Sequence, residues 1–334
     1  MTWPILTVRL KQKVVDLLDY ESRCNLRISS KDDRDVVDST KFVPEKFKIT
    51  ETPSDLSEGK SIIRLEIDSF TIWLTGKDDL TKIDRGFNRE VDETLSEIKQ
   101  ENRVEVFQKL LLRFSNKGLI KADTVEMEGI RFMPPEDLNF KCSSLKIVAV
   151  TTDYSVEWLK RMAPKLEKFE NLDVACWGDD TELMTIHSLL EVSKSLKLEH
   201  ESGITDEQLQ EIEATNLKLF SERITVDGVR KRLEYFLTHG KATDSLEIAF
   251  SVPENFQPIS FFPNNLRMKK ITLRAEDENG YFGKILGGFE NIHGIREPWK
   301  IELLSFGGRM RIYCKIWKKS ERPCILYPFY FGRE

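Results

Sequence analysis

Four histidines, His187, His200, His239 and His293, are the side chains best suited to bind a transition metal or to transfer a proton near neutral pH. Their separations match no metal-ligand motif, and the apolar spacing around His187 predicts that it lies in a helix, where a structural role is more common than ligation. The nucleophile motif Gly-x-Ser-x-Gly does not occur. We therefore predict no metal, no cofactor and no catalytic residue.

A glycine-rich stretch and two acidic pairs are the next candidates for chemistry. The glycine stretch lacks the Gly-Lys-Ser or Gly-Lys-Thr ending that a phosphate-binding loop uses to hold phosphate and metal. The acidic pairs are better explained as helix-start or loop charges than as general acids. Neither feature predicts an active site. The residues concerned are Gly280, Gly283, Gly287, Gly288, Asp32, Asp33, Asp179 and Asp180.

Basic and aromatic side chains alternate near the end of the chain. If this segment is a strand, they lie on one side of it and could stack on nucleic acid or grip an acidic partner. The net charge of -5 and the pI near 5.7 favour ordinary solubilising charge instead, and we predict no nucleic-acid partner. The residues of this strip are Arg309, Arg311, Tyr313, Lys315 and Trp317.

The composition is that of a globular protein that works inside the cell. The chain has 334 residues, enough for a continuous core and two structural units. Its 5 cysteines have neither metal-binding nor redox spacing, which favours a reduced compartment, cytoplasmic and/or nuclear. No apolar run approaches the roughly 18 residues of a membrane span, so we predict neither secretion nor a membrane partner.

The first 43 residues are predicted to form three small helices on one core. Leu10, Val14, Val15, Leu17 and Leu18 recur at helical spacing, and further apolar residues follow at 26–28 and 36–37. Residues 44–100 are predicted to be a connector that contains a strand pair, 62–67 and 70–74, and a charged loop at 75–101 that leads into a helix.

The remainder, 101–334, repeats itself. Seven segments with the strand alternation apolar-x-apolar follow one another at intervals of 20 to 29 residues, the range of leucine-rich repeats. Helix-compatible segments lie between most of them, so the strands are predicted to run parallel. The strand pairs are Val125/Met127, Leu145/Ile147, Leu172/Val174, Leu196/Leu198, Leu217/Leu219, Leu246/Ile248 and Ile271/Leu273.

The helices of the repeats have their own signals. Thr205 and Gln208 form a capping box at the start of one helix, and another begins near Thr225 and stops at Gly240. A third is predicted from the apolar stripe at 183–190. The last two strands, 300–306 and 309–317, are separated by two glycines and are predicted to form a hairpin that caps the array.

The fold class predicted is therefore α/β: a three-helix module, then an irregular leucine-rich-repeat-like solenoid of parallel strands with a hairpin cap. The alternate residues on each strand face away from the core and form a natural surface for a protein partner, although a plain solvated face remains the alternative. The predicted contact residues are Lys146, Val148, Asp173, Lys197, Glu199, Lys218, Phe220, Glu247 and Arg274.

Residues 6–38 resemble the F-box, and in particular the F-boxes of the large nematode families that carry a C-terminal FTH-type or F-box-associated domain. The resemblance rests on Val14-Val15, Leu18-Asp19, the run 26–31 and the run 34–38, which align with the family pattern without a gap. The segment 20–27 is especially similar to the nematode version.

The resemblance implies a substrate receptor of a cullin-RING (SCF-type) ubiquitin ligase, which binds a Skp-family adaptor through the F-box and a target protein through the repeats. It places adaptor contacts at Leu6, Leu10, Val14, Leu18 and Leu26. A non-catalytic binding protein is the function we expect.

Two alternatives remain. The family usually has proline where this chain has Thr7, an apolar residue in place of Arg23, and an aromatic residue or leucine in place of Asp33. A repeat scaffold or sensor with a degenerate F-box that recruits no ligase therefore remains open. So does an enzyme whose site is assembled from residues distant in the sequence.

Overall fold

The computed structural model describes residues 3–40, 43–52, 61–77, 79–87, 90–115, 119–161, 168–176, 191–252, 268–277, 280–288, 298–306 and 309–316. Contacts between residues divide the chain into two compact units, Met1–Val192 and Ser193–Glu334. This division differs from the predicted domain boundaries at residues 43 and 100. Each unit is described separately.

The first unit opens with the three predicted helices, preceded by a single 3-10 turn. Asp19 caps the second helix by accepting a hydrogen bond from the Ser22 amide at 2.7 Å, and Ser30 caps the third by accepting one from the Asp33 amide at 3.1 Å. The elements are the turn Trp3–Ile5, α1 Val8–Asp16, α2 Tyr20–Ser29 and α3 Lys31–Ser39.

Five strands follow, each antiparallel to its predecessor, where a connector and a charged loop were predicted. The predicted strand pair is correct, but the loop is wrong: residues 80–99 form two more strands. Their charged residues occupy many positions and so hide the period of two by which strands are recognised. The elements are β1 Lys46–Thr52, β2 Ser61–Ile67, β3 Phe70–Lys77, β4 Leu80–Phe87 and β5 Glu90–Lys99.

The rest of the first unit alternates helices and strands. Strands β7, β9 and β10 are parallel with aligned registers, as predicted, and β7 also lies parallel to β1. The sheet order is therefore β10-β9-β7-β1-β2-β3-β4-β5. The elements are α4 Arg103–Phe114, β6 Leu119–Lys121, β7 Thr124–Ile130, β8 Asn139–Lys141, β9 Ser144–Ala149, α5 Thr152–Lys160 and β10 Phe169–Cys176. Strands β6 and β8 form a separate parallel pair.

The second unit combines three parallel strands with an antiparallel group. Strands β11, β12 and β13 are parallel, and the order across this unit is β14-β15-β16-β17-β13-β12-β11. The elements are β11 Val192–Glu201, α6 Asp206–Glu211, β12 Asn216–Ser221, α7 Val226–His239, β13 Ser245–Ser251, β14 Met268–Asp277, β15 Gly280–Gly288, β16 Pro298–Phe306 and β17 Arg309–Ile316.

The seventh predicted repeat strand is wrong in its pairing, because it does not join the parallel row but lies in an antiparallel group. Ile271 and Leu273 lie in β14, which pairs antiparallel with β15. Only two residues separate Asp277 from Gly280, too few for the crossover that a parallel connection needs. The predicted terminal hairpin is correct: β16 and β17 are antiparallel, and β17 borders the last parallel strand, β13. Trp317 lies outside the described residues.

The helix ends agree with the sequence signals with one difference. Thr205 and Gln208 form both bonds of the capping box. Gly240 ends α7 as predicted, but its φ of -65° is not the left-handed conformation that glycine often adopts at helix ends. Glycine is needed there because a Cβ would lie 2.5 Å from the Phe236 carbonyl oxygen and 2.6 Å from Ile316 Cδ1. The helix predicted at 183–190 lies outside the described residues.

Two carboxylates tie neighbouring strand ends together. In the first unit, buried Glu51 accepts a hydrogen bond from the Arg131 amide at 2.8 Å. In the second unit, Glu201 accepts from the Gly203 amide at 3.0 Å and from the Glu222 amide at 2.9 Å. Each carboxylate follows the inward-facing apolar residues of its strand and bonds to the backbone at the end of the next parallel strand. They therefore fix the spacing of the strand ends.

Candidate protein-binding surfaces

The three N-terminal helices enclose a small core of their own. Val15, Val36 and Val37 are buried, and Trp3, Leu18 and Leu26 pack against them. Leu18 and Leu26, which the F-box resemblance assigns to adaptor contact, therefore contribute to the folding of the module, since each is only partly exposed. Leu6 is also partly buried.

The exposed side of α1 carries an apolar stripe. Leu10, Val14 and Leu17 are separated by four and three residues, so they lie above one another on one side of the helix. Their exposed fractions are 46%, 39% and 87%. Basic residues Arg9 and Lys13 are exposed beside them. A partner surface for this stripe would be apolar and rimmed by acidic groups.

The departures from the F-box pattern have local structural roles. Arg23 is 5% exposed, and its Nε donates a hydrogen bond to the Leu18 carbonyl at 3.1 Å. Asp33 is 8% exposed and accepts hydrogen bonds from the Trp3 indole at 2.6 Å and the Ser30 hydroxyl at 2.7 Å. These two bonds hold the pKa of the Asp33 carboxyl below its usual value, the indole contributing most. Thr7 caps α1 through its carbonyl, which accepts from the Leu10 and Lys11 amides.

An aromatic contact joins the helical module to the sheet of the first unit. The Tyr20 ring of α2 lies 4.8 Å from the Phe70 ring of β3 and 6.1 Å from the Phe114 ring of α4. Burial raises the pKa of the Tyr20 hydroxyl. The module is therefore packed directly onto the strands and helix that follow it.

The outward face of the first unit's parallel strands is an ion ladder. Lys48 of β1 lies 2.7 Å from Glu128 of β7, and Glu128 lies 3.2 Å from Lys146 of β9. Asp173 of β10 stands opposite Lys146 in register. The sign of the charge thus alternates from strand to strand. Hydrogen bonds from Lys48 and Lys146 lower the pKa of Glu128, and the bond to Glu128 raises the pKa of Lys146.

The second unit has an equivalent ladder. Lys218 of β12 lies 2.7 Å from Glu199 of β11, and Arg311 of β17 lies 3.6 Å from Glu247 of β13. Lys218 and Glu247 are opposite each other in register. Because the charges neutralise one another, these predicted contact residues have structural partners within their own unit. They therefore generate little net field to attract a partner.

The one aromatic residue among the predicted contacts lies beside the second ladder. The Arg309 guanidinium lies 4.8 Å from the centre of the Phe220 ring and 2.9 Å from a Glu222 carboxylate oxygen. This arrangement presents a flat apolar ring held by a cation, a geometry suited to an anchor in a protein interface.

The remaining predicted contact residues are divided between the two units. Val148 lies on the outward face of β9 in the first unit, whereas Lys197 lies on β11 in the second. Arg274 does not belong to the parallel row, because β14 is part of the antiparallel group. The structure therefore does not bring the nine residues together in one parallel row.

Sequence reasoning missed several outward residues. Leu17 completes the stripe on α1, and Trp73 lies on the outward face of β3, opposite Arg64 and Asp84 in the neighbouring strands. Ile98 of β5 is 71% exposed. The alternation within 62–74 could have identified Trp73, since Phe70, Ile72 and Leu74 occupy the opposite, buried face.

The residues first considered for chemistry do not converge. Among the described residues, no group of three histidine, cysteine or acidic side chains could hold a metal ion. Gly280, Gly283, Gly287 and Gly288 lie in β15, so they form a strand where a phosphate loop was considered. The His239 ring stacks on Tyr235, and burial lowers the pKa of His200. His187 and His293 lie outside the described residues.

The basic and aromatic residues predicted to share one side of the last strand do so in the described part of β17. Arg309, Arg311, Tyr313 and Lys315 alternate with buried Met310, Ile312, Cys314 and Ile316. Burial raises the pKa of the Tyr313 hydroxyl. Arg309 and Arg311 are already held by Glu222 and Glu247, which supports a structural use of their charge.

No helix in the described part of the chain is long and apolar enough to cross a membrane. Comparisons of the chain with protein-family models, with curated proteins and with solved structures found no match.

Proposed function

We propose that this chain is a non-catalytic substrate receptor of a cullin-RING (SCF-type) ubiquitin ligase that works inside the cell. In this proposal the helices α1–α3 bind a Skp-family adaptor, and the strand-rich remainder binds a target protein. The proposal rests on the F-box resemblance together with one structural observation, the exposed stripe of Leu10, Val14 and Leu17.

The stripe supports adaptor binding because large apolar side chains are normally buried. Val15 of α1 and Leu18, two residues after the end of α1, already contact the core of the module, so the stripe is not needed to fold it. Exposed apolar residues on one helix face, flanked by basic groups, fit an apolar groove with an acidic rim. This restricts the predicted adaptor contacts to Leu10 and Val14 and adds Leu17.

The finer fold assignment belongs to the same proposal. We infer that the parallel strands are irregular leucine-rich-repeat-like units. The side chains just before buried Leu145, Leu172, Leu217 and Leu246 bond between neighbouring strands in both units. Asn171 Nδ2 donates to Ser144 Oγ, and Ser245 Oγ donates to Asn216 Oδ1, each at 2.9 Å. Glu201 bonds to the backbone of the next strand end from the position where such repeats normally carry asparagine. A ladder of this kind supports stacked repeats.

Target binding is proposed at the outward strand faces, with Phe220 as an anchor. Its ring is oriented by Arg309, and the ladder residues around it are neutralised. Neutral surroundings favour recognition by shape and apolar contact over long-range attraction. The identity of the adaptor and that of the target are separate questions, tested separately.

The decisive experiment is co-purification of the full chain with a Skp-family adaptor. The triple change Leu10→Asp, Val14→Asp and Leu17→Asp should abolish adaptor binding and leave the thermal melt nearly unchanged, because all three residues are exposed. Val8→Asp is the matched control, since Val8 is 61% exposed on another side of the same helix. Adaptor binding that survives the triple change contradicts the proposed docking surface. A wild-type chain that binds no adaptor contradicts the ligase role.

A repeat scaffold with a degenerate F-box is the second candidate. The observation that favours it is the structural use of Arg23 and Asp33, both of which are committed to bonds within the module. It is supported if Leu18→Asp unfolds the module and neither this change nor the triple change removes any co-purifying partner. Thermal melts and co-purification of the same variants distinguish the two candidates.

A further inference from the structure

A groove runs along the outer side of α5 in the first unit. Its volume is about 430 Å³, within the range of roughly 300 to 1,000 Å³ that is usual for binding pockets. One wall is the α5 face formed by Asp153, Val156, Glu157 and Lys160, whose spacing of three and four residues places them on one side of the helix. The opposite wall is the loop that contains Met133, Pro134 and Glu136.

The loop wall is fixed at three points. Gln108 of α4 donates a hydrogen bond to the Met133 carbonyl at 3.0 Å, and the buried Trp158 indole donates one to the Phe132 carbonyl at 3.0 Å. Arg161 donates one to the Glu136 carbonyl at 2.6 Å. Two consecutive prolines, Pro134 and Pro135, further restrict this backbone. The groove is therefore preformed, which lowers the entropic cost of binding.

The apolar residues of the two walls, Met133, Pro134 and Val156, form the floor of the groove, and one of these side chains is adaptable. Met133 is 45% exposed, although it is held between buried neighbours. A flexible thioether side chain can fill gaps against partners of different shape. Val156 and Pro134 complete this floor, and both are largely buried, so Met133 provides most of its exposed apolar surface.

The charged side chains that line the groove are acidic Glu136, Asp153 and Glu157 and basic Lys160 and Arg161, a small excess of negative charge. The Arg161 guanidinium bonds to the Glu136 backbone carbonyl and not to a carboxylate. Lys160 is paired with Glu157 at 2.6 Å, so these two charges cancel. Within the described residues, the carboxylates of Glu136 and Asp153 have no ion-pair partner. An occupant that places a cation at the rim gains their attraction.

We propose that this groove binds a short peptide segment in which an apolar side chain neighbours a lysine or arginine. The apolar side chain sits against Met133, Pro134 and Val156, and the cation faces Glu136 and Asp153. The inference does not depend on adaptor binding, because the groove lies on α5 and uses no residue of α1.

The test uses a phage-displayed library of random peptides, panned on the full chain. The wild type is expected to enrich sequences that join an apolar residue to a basic neighbour. The double variant Glu136→Lys with Asp153→Lys should bind the selected peptide at least about tenfold more weakly, measured by fluorescence anisotropy. The matched control is Glu105→Lys with Glu211→Lys, which reverses two exposed charges outside the groove, Glu105 also lying in the first turn of its helix.

Met133→Asp provides a second, independent readout, since it alters the floor and leaves the rim charges in place. It should also weaken the selected peptide about tenfold. Enriched sequences without the apolar-basic pair overturn the proposal, as does the absence of any enrichment. Equal affinity of the wild type and the groove variants overturns it too. Concentration-dependent dimerisation that only the groove variants lose would assign the groove to a second copy of the chain instead.

Discussion

Trp3 donates a hydrogen bond from its indole nitrogen to the Asp33 carboxylate, 2.6 Å away and 30 residues later in the chain. The bond connects the turn before α1 to the first turn of α3. It places a carboxylate where the F-box pattern usually has an aromatic residue or leucine, and it gives that carboxylate a hydrogen-bond partner in the first turn of α3. The departure from the family pattern is thus compensated inside the module.

The first prediction concerns pH. The pKa of Asp33 is lowered in the folded protein, so its contribution to stability is present above the unfolded value of about 3.9 and is lost as the pH falls through the folded value. The free energy of unfolding of Asp33→Asn should therefore fall less steeply than that of the wild type as the pH is lowered below about 4. Thermal melts of both proteins across this range measure the difference. Parallel curves would contradict the assignment.

The second prediction concerns the hydrogen bonds that the Glu201 carboxylate accepts from the backbone. Glu201→Ala should lower the free energy of unfolding by about 1 to 3 kcal/mol, because the Gly203 and Glu222 amides lose their acceptor. Glu201→Gln keeps one carbonyl oxygen and should cost less. Urea denaturation of the three proteins gives the comparison. Equal losses for alanine and glutamine would show that the acceptor is not the cause.

The third prediction is a coupling between Asp206 and Gly228. The Asp206 carboxylate accepts hydrogen bonds from the amide and hydroxyl of Thr225, and a Cβ on Gly228 would lie 1.9 Å from its Oδ1. Gly228→Ala should therefore cost about 1 to 3 kcal/mol in the wild type. In an Asp206→Ala background, the cost should largely vanish because the clash is gone. A double-mutant cycle in urea tests this, and additive losses would exclude the contact.

The fourth prediction separates two rungs of the ion ladders. Lys48 contacts both Glu126 and Glu128 and its side chain is 17% exposed, whereas Lys218 contacts Glu199 and is 40% exposed. Lys48→Met should destabilise by about 1 to 2 kcal/mol because Glu126 and Glu128 each lose one cation and keep only Lys46 and Lys146 as partners. Lys218→Met should change stability by less than about 1 kcal/mol. Denaturation at low and high salt gives both values. A larger loss for Lys218 would reverse the ranking.

Local signals in the sequence predicted much of the fold. The helices of the N-terminal module, the strands from Val125 to Ile248, which are parallel within each unit, and the capping box at Thr205 all depend on neighbouring residues, and all are present. The pairing of the strand at Ile271 depends on the length of a connection and on partners distant in the sequence. Periodicity carries neither, and so that strand was assigned wrongly.

The candidate surfaces were harder to predict for a related reason. Helical spacing groups Leu10, Val14, Val15, Leu17 and Leu18 as one apolar set, but it does not say which members turn inward. The position of α3 determines which residues are buried. Val36 and Val37 of α3 pack against Val15 and Leu18, whereas Leu17 stays exposed. The ladders are similar: each charge was visible in the sequence, but its partner lies on another strand.

The contact of Tyr20 with Phe70 and Phe114 determines how the N-terminal helices are attached to the rest of their unit. The ring centres lie 4.8 and 6.1 Å apart, so the module is packed against the sheet and is not joined to it by a flexible linker alone. If the proposed adaptor binds α1, this packing holds it in a fixed orientation relative to β3. The position of a bound partner would then be determined by the shape of the folded unit and not by the length of a flexible linker.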